Sequence, residues 1–263
     1  MRTANLVVST VWFHAAFAFT ASQHTPRWTS KRAWRMCSEP TVAGVASTRL
    51  IDVASRAADA LSHGRAHIEP GFLSGTSLEA ARADMLNVYS QVAGGESGDF
   101  DSIQTSLLDP EFRRTLPGPC PFSSVLDELD ELRVGLAQCT GRSLLEGGGL
   151  HLMHYPVGSK FMRHVDEDPT LYEPRRNSIS FLIYLTPDDW TDEDGGALCI
   201  YDPQATGTGA GTSEARVVLP VGGTLVIYDS TVEHEVLQTR RPRHLISGRF
   251  RELDEDWQQR RSS

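Results

Sequence analysis

The apolar and polar positions fall into two periodicities, one in each half of the chain. Along residues 47–61 and 77–92 apolar side chains return every three to four positions, the spacing of one helix face. Between them, Ala66-His67-Ile68 and Gly71-Phe72-Leu73 read as a strand and a turn. A third helix is the clearest: Pro121 opens it, Ser123 or Ser124 can cap it, and Phe122, Val125, Leu126, Leu129, Leu132 and Leu136 form its apolar face. Its acids Asp127, Glu128, Asp130 and Glu131 read as a solvated face. Beyond Gly149 the period shortens to that of strands. Short runs rich in Val, Ile, Leu, Phe and Tyr occupy residues 150–155, 161–166, 178–186, 197–201, 215–219, 224–229, 234–238 and 244–250, separated by Gly, Pro and Asp. Such a density of short strands predicts an α+β chain: a double-stranded β-helix (jelly roll) of about eight strands, buttressed by N-terminal helices.

Charge sets the first 38 residues apart. They hold Arg2, Arg27, Lys31, Arg32 and Arg35 and no acid, whereas the whole chain carries a net charge of −9. Residues 6–19 are almost all apolar, too few for a comfortable membrane span, and the small residues Thr20-Ala21-Ser22 follow, so residues 1–22 read as a signal peptide. The Ser/Thr/Arg-rich, acid-free stretch up to about residue 38 extends it in the manner of a transit segment. The expected address is the secretory pathway, either the endoplasmic reticulum lumen or secretion. Ala18-Phe19 ahead of such a segment resembles the two-part address of complex plastids, which is the alternative, with a mitochondrial leader third. The remaining chain divides into a helical support region at 40–146, a strand-rich domain at 147–252 and a polar tail at 253–263. It contains no second apolar run of membrane length, and so no stable span in the mature chain. Cys37, Cys120, Cys139 and Cys199 have no zinc-like spacing. A Cys120–Cys139 disulfide is open to an oxidising lumen.

The chemistry centres on His164-Val165-Asp166. Residues two apart on a strand share a face, so this imidazole and carboxylate aim at one point. Chance alone gives about one His-x-Asp/Glu match in this composition; the second, His67-Ile68-Glu69, runs into Pro70-Gly71 and reads as a strand end. What lifts His164 and Asp166 is His234 on a late strand, ahead of Val236 and Leu237. A jelly roll brings the three together as a two-His-one-carboxylate triad, the arrangement that holds non-haem Fe(II) with open positions. Arg243 precedes the strand run Leu245-Ile246-Ser247-Gly248. Turned into the barrel, its guanidinium needs an anion and matches a carboxylate through two parallel bonds; the expected partner is the distal carboxylate of 2-oxoglutarate. Tyr184 can add a hydrogen bond to that carboxylate. A one-residue register slip would instead place Arg243 on the surface beside Arg240 and Arg241.

The run His154-Tyr155-Pro156-Val157-Gly158 through Phe161 to Asp166, with Asp189-Trp190, Gly195-Gly196-Ala197-Leu198, Pro220-Val221-Gly222-Gly223, His234-Glu235-Val236 and Arg243, resembles the catalytic domain of the prolyl 4-hydroxylases. Within these it is most similar to the hypoxia-inducible-factor prolyl hydroxylase type, over about residues 147–252. That resemblance implies Fe(II) ligands at His164, Asp166 and His234, a 2-oxoglutarate-binding Arg243, and pocket tyrosines at Tyr184 and Tyr155. It implies an Fe(II)- and 2-oxoglutarate-dependent dioxygenase that hydroxylates prolyl residues in a protein or peptide, uses molecular oxygen, yields succinate, and draws on L-ascorbate to keep the iron reduced. Arg243 stands where collagen-type relatives carry Lys. Two positions depart from the pattern: Phe161 stands where Tyr is usual and Arg249 where the oxygen-sensor enzymes carry Trp. The substrate loops expected at 99–119 and 167–176 show no diagnostic motif. Alternatives are free proline or another small molecule as substrate, and a non-catalytic jelly-roll binding module. The intact triad with Arg243 argues against the binding module. Beyond residue 38 the chain has 20 basic against 34 acidic side chains, which argues against nucleic acid, whose binding needs Lys/Arg contacts to phosphate.

Overall fold

In the computed structural model, which describes residues 47–92, 103–106, 122–146, 149–167, 175–201 and 215–253, two antiparallel sheets face each other. Three helices, α1 (Thr48–Ser62), α2 (Gly75–Val92) and α3 (Ser123–Thr140), cover the outer side of the larger sheet. The strands are β1 (His67–Glu69), β2 (Ile103–Ser106), β3 (Gly149–Tyr155), β4 (Phe161–His164), β5 (Arg175–Tyr184), β6 (Leu198–Tyr201), β7 (Arg216–Val218), β8 (Leu225–Asp229), β9 (Glu233–Val236) and β10 (Arg243–Leu253). They form a six-stranded sheet in the order β1-β8-β5-β10-β3-β2 and a four-stranded sheet in the order β4-β9-β6-β7. This is the expected α+β jelly roll.

Alternation along each strand of the larger sheet makes two cores. On β5, Ile179, Phe181 and Ile183 face the helices, together with Leu225, Ile227, Ile246 and Phe250 from β8 and β10. The other face, with Leu182, Tyr184, Val226, Tyr228 and Leu245, packs across the interior against Leu198, Ile200 and Val236 of the smaller sheet. Both faces of β5 are covered, so seven successive residues from Ser178 to Tyr184 are buried, as a doubly covered strand requires.

Local sequence accounts for the helix ends with one correction. Ser47 caps α1 by accepting from the Leu50 N–H. Neither Ser123 nor Ser124 caps α3: both lie inside the helix, and Phe122 is the boundary residue, in a left-handed conformation with φ 59°. Burial of the Phe122 ring fixes this turn, and its N–H donates to Asp84 Oδ2 of α2 at 2.7 Å, a tertiary cap in place of a local one. The acids of α3 are surface ion-pair partners, Glu128 to Arg49 and Asp130 to Arg133. The expected strand at residues 161–166 ends at His164, and Asp166 sits in the bend after it. β1 and β2 come from the segment read as helical support yet extend the six-stranded sheet at its two edges. The signal peptide and its extension, Cys120 of the Cys120–Cys139 pair, most of the loops at 99–119 and 167–176, and residues 254–263 of the tail lie outside the described residues. No described helix is long and apolar enough to cross a membrane.

A candidate metal and cosubstrate site

β4 and β9 lie side by side in the smaller sheet, and their register sets His164 directly opposite His234. Their ring centroids are 4.2 Å apart. Asp166 is brought beside them by main-chain bonds: its N–H donates to Ser230 O at 3.0 Å, and its carbonyl accepts from Asn177 Nδ2 at 2.9 Å. One ligand atom from each of His164, Asp166 and His234 lies within 4.8 Å of the others. His234 Nε2 is 3.7 Å from Asp166 Oδ2, and His164 Nε2 is 3.9 Å from Oδ1.

Both imidazoles are oriented by their other nitrogen. His164 Nδ1 faces Met162 O at 2.8 Å and His234 Nδ1 faces Val232 O at 3.0 Å. A carbonyl only accepts, so each Nδ1 carries the proton and each Nε2 presents a lone pair toward the other two groups, the usual outer support of a metal-binding histidine. Burial pushes the His234 imidazole down and the Asp166 charge only partly counters it, so the ring stays neutral. Burial raises the Asp166 carboxyl, but the Arg249 guanidinium beside it, by charge and hydrogen bond, pulls it down further, and it titrates below the usual carboxylate range. Two imidazole nitrogens and one ionised carboxylate oxygen, converging from two strands and a bend, suit a divalent first-row metal such as Fe(II).

Arg243 begins β10 and is fully buried, with its register partner Tyr155 on β3 and Tyr184 on the other neighbour, β5. The surface alternative is thereby excluded. The guanidinium carbon lies 4.8 Å from the Tyr155 ring centroid and 5.1 Å from that of Tyr184. Among the described residues none of the three Arg243 side-chain nitrogens makes a hydrogen bond, and neither does the buried Tyr184 hydroxyl. Burial raises both phenols, with Arg243 opposing, so they remain neutral donors. Gly196 makes room for this side chain: a Cβ there would stand 3.2 Å from Arg243 Cδ and 2.9 Å from Thr239 Oγ1, at a φ of +68° that favours glycine. A buried cation and hydroxyl left open together are a fitting receptor for one carboxylate.

The structure thus gathers all six expected residues between the two sheets, His164, Asp166 and His234 in one cluster and Arg243, Tyr184 and Tyr155 in another. It adds two that strand parity could have revealed. Tyr228, on the inner face of β8 with Val226, donates to Asp166 Oδ2 at 3.1 Å and lies 3.2 Å from His234 Nε2. Burial and the Asp166 charge push its phenol well up. Arg249, on the same face of β10 as Arg243, places Nη2 against Asp166 Oδ1. Phe161 packs edge-on against His164, with centroids 4.5 Å apart, and stays partly exposed.

Comparison with known proteins agrees with this geometry. Residues 150–251 match the model of the 2OG-Fe(II) oxygenase superfamily. A prolyl-4-hydroxylase from Pseudomonas putida superposes with a TM-score of 0.60 at 25% identity, covering 76% of this chain and 98% of that one. A prolyl hydroxylase in complex with a hypoxia inducible factor oxygen degradation domain peptide fragment, from Trichoplax adhaerens, gives 0.63 at 16% identity over 82% and 95%. The fold is shared more widely: the α-ketoglutarate-dependent carbocyclase SnoK of nogalamycin biosynthesis gives 0.52 at 16% identity over 86% and 94%. No curated protein matches the sequence significantly. Through the matched segment, its two-sheet architecture and its His-Asp-His cluster, residues 150–251 carry a 2OG-Fe(II) oxygenase domain, and the fold is similar to that of solved prolyl hydroxylases.

Proposed function

We propose that this oxygenase hydroxylates prolyl residues in a protein or peptide, coupled to decarboxylation of 2-oxoglutarate to succinate. His164, Asp166 and His234 would hold Fe(II), and Arg243 with Tyr184 and Tyr155 would hold the far carboxylate of 2-oxoglutarate. The observation that carries the reading is Arg243, a buried guanidinium with no hydrogen-bond partner among the described residues, set between two tyrosines in the same inter-sheet interior as the triad. Iron and cosubstrate supply the oxidising chemistry; the protein's own part is orientation and a dry pocket. Arg243 fixes the cosubstrate by charge and planar geometry, the two Nδ1–H bonds keep Nε2 of each histidine aimed inward, and Tyr228 donates to Asp166 as a neutral phenol. L-ascorbate would restore reduced iron. A proline-containing peptide is favoured as substrate by the similarity to a hydroxylase solved with a peptide, and the excess of acidic residues speaks against nucleic acid. The leader supports entry into the secretory pathway, with a complex plastid as alternative; cytosolic fluorescence from a fusion of residues 1–40 would remove both.

The test is succinate release by Fe(II)-reconstituted protein with and without proline-containing peptides. Peptide-stimulated succinate and a hydroxyproline product are expected. In His164→Ala and Asp166→Ala, metal content should fall to background while far-ultraviolet circular dichroism stays native. Full metal content in either folded variant would dismiss the triad.

A further inference from the structure

Arg249 sits beside the candidate metal ligands, against Asp166. It shares the inner face of β10 with Arg243, six residues on, or about 20 Å along the strand at ~3.3 Å per residue. Its Nη2 rests on Asp166 Oδ1, its side chain is 25% exposed, and its Nε is buried with no hydrogen-bond partner among the described residues. The Asp166 side chain is itself 4% exposed and also accepts from Tyr228. One carboxylate carries one negative charge. If it is shared with a divalent cation held by His164, Asp166 and His234, the guanidinium beside it is left under-compensated, in a setting where unbalanced charge is costly. The planar fork, with Nε still open, is shaped for a second carboxylate.

We propose that Arg249 recruits a second carboxylate to the metal end of the pocket, and so selects ligands that carry one there. The proposal rests on the metal and cosubstrate roles given above. Two sources have this chemistry: the metal-side carboxylate of 2-oxoglutarate, or a free carboxylate on the substrate, as on free proline or a C-terminal prolyl residue.

Calorimetry on full-length protein loaded with redox-inert Mn(II) separates them. Wild type, Arg249→Gln and Arg249→Lys are titrated first with 2-oxoglutarate and then, at saturating 2-oxoglutarate, with L-proline and with its neutral amide. Arg249→Gln should lose about tenfold or more in one arm, the worth of one charge-assisted hydrogen bond. A loss in the first arm assigns the cosubstrate. Loss of a preference for proline over the amide assigns the substrate. Arg249→Lys should recover part of either loss. A merely structural role through Asp166 would shift Mn(II) affinity and leave both arms unchanged; that outcome overturns the proposal. Wild-type protein that binds Mn(II) but no 2-oxoglutarate would instead withdraw the cosubstrate reading, and this proposal with it.

Discussion

Replacing Arg243 by methionine should make the ligand-free protein more stable and cut the stabilisation that bound 2-oxoglutarate adds. The guanidinium is fully buried, makes no hydrogen bond among the described residues, and lies over the rings of Tyr155 and Tyr184. A desolvated cation–π contact is worth roughly 2 kcal/mol, whereas burying a charge without an ionic partner costs several kcal/mol. Filling the same space with an apolar chain should therefore gain about 2 kcal/mol, within the roughly 1–4 kcal/mol seen when buried ion pairs are replaced by apolar groups. For a domain of this size 1 kcal/mol moves the melting temperature by about 2–4 °C, so Arg243→Met should melt about 4–8 °C above wild type. With 2-oxoglutarate at a hundred times its dissociation constant, wild type gains about 2.7 kcal/mol, or about 5–10 °C. Losing one partner of a buried charge pair costs roughly 2–5 kcal/mol, at least about thirtyfold in affinity. At the same ligand concentration the variant then gains only about 0.9 kcal/mol, a shift of about 2–4 °C. Arg243→Lys should keep the charge, and with it part of the ligand shift. The assay is thermal unfolding with Mn(II) in both arms, in a buffer free of polyvalent anions. An Arg243→Met protein that melts below wild type without ligand, or that keeps the full ligand shift, would refute the reasoning.

Two further outcomes follow from packing and from protonation. At Gly248 a Cβ would stand 2.2 Å from Cζ of Phe181, a buried ring that stacks on Phe250 at 4.7 Å, so Gly248→Ala should cost about 1–3 kcal/mol in urea unfolding. Phe181→Leu added to it should restore part of the loss, and a fully stable Gly248→Ala would show that this strand crossing is not tight. Burial, with His154 at 2.6 Å, holds the His244 imidazole down to about 4 from an ordinary 6.5. Its folded pKa is depressed, so below about pH 6.5 the unfolded chain takes up a proton that the folded one refuses. Stability present at neutral pH should decline between about pH 6.5 and 4, by at most about 3 kcal/mol. In His244→Gln the slope over that window should flatten; an unchanged slope would place the titration elsewhere.

The larger part of this architecture was legible because it rests on period. All eight strand runs beyond Gly149 form, shifted by a few residues at their ends. The parity of β9 sends His234 inward with Val236, and the parity of β10 sends Arg243 inward with Leu245. Where tertiary contacts decide, the sequence was mute. Ile103-Gln104-Thr105-Ser106 has no strand signal of its own, falls in an expected substrate loop, and forms β2 by pairing with β3. Phe122 replaces the serine caps because Asp84 reaches it from another helix. Tyr228 reads as one more core aromatic until Asp166, from the bend after β4, is brought against its hydroxyl. Arg249 was visible as a departure from the family pattern, and the same parity that places Arg243 would have turned it inward. Its contact with Asp166 needed the fold.

The strand that carries His164 has an unusual standing. β4 is an edge of the smaller sheet, pairs with β9 alone, slips register between Phe161 and His164, and leaves Phe161, Met162 and Arg163 exposed. Short, singly paired edge segments are where local opening starts. A metal held by His164, Asp166 and His234 would act on this segment as a removable rivet, fastening an edge strand of the smaller sheet to its neighbour. Iron supply would then govern more than turnover: protein starved of iron would fray at the strand that must receive it, and would be cleared by proteases that a loaded molecule resists.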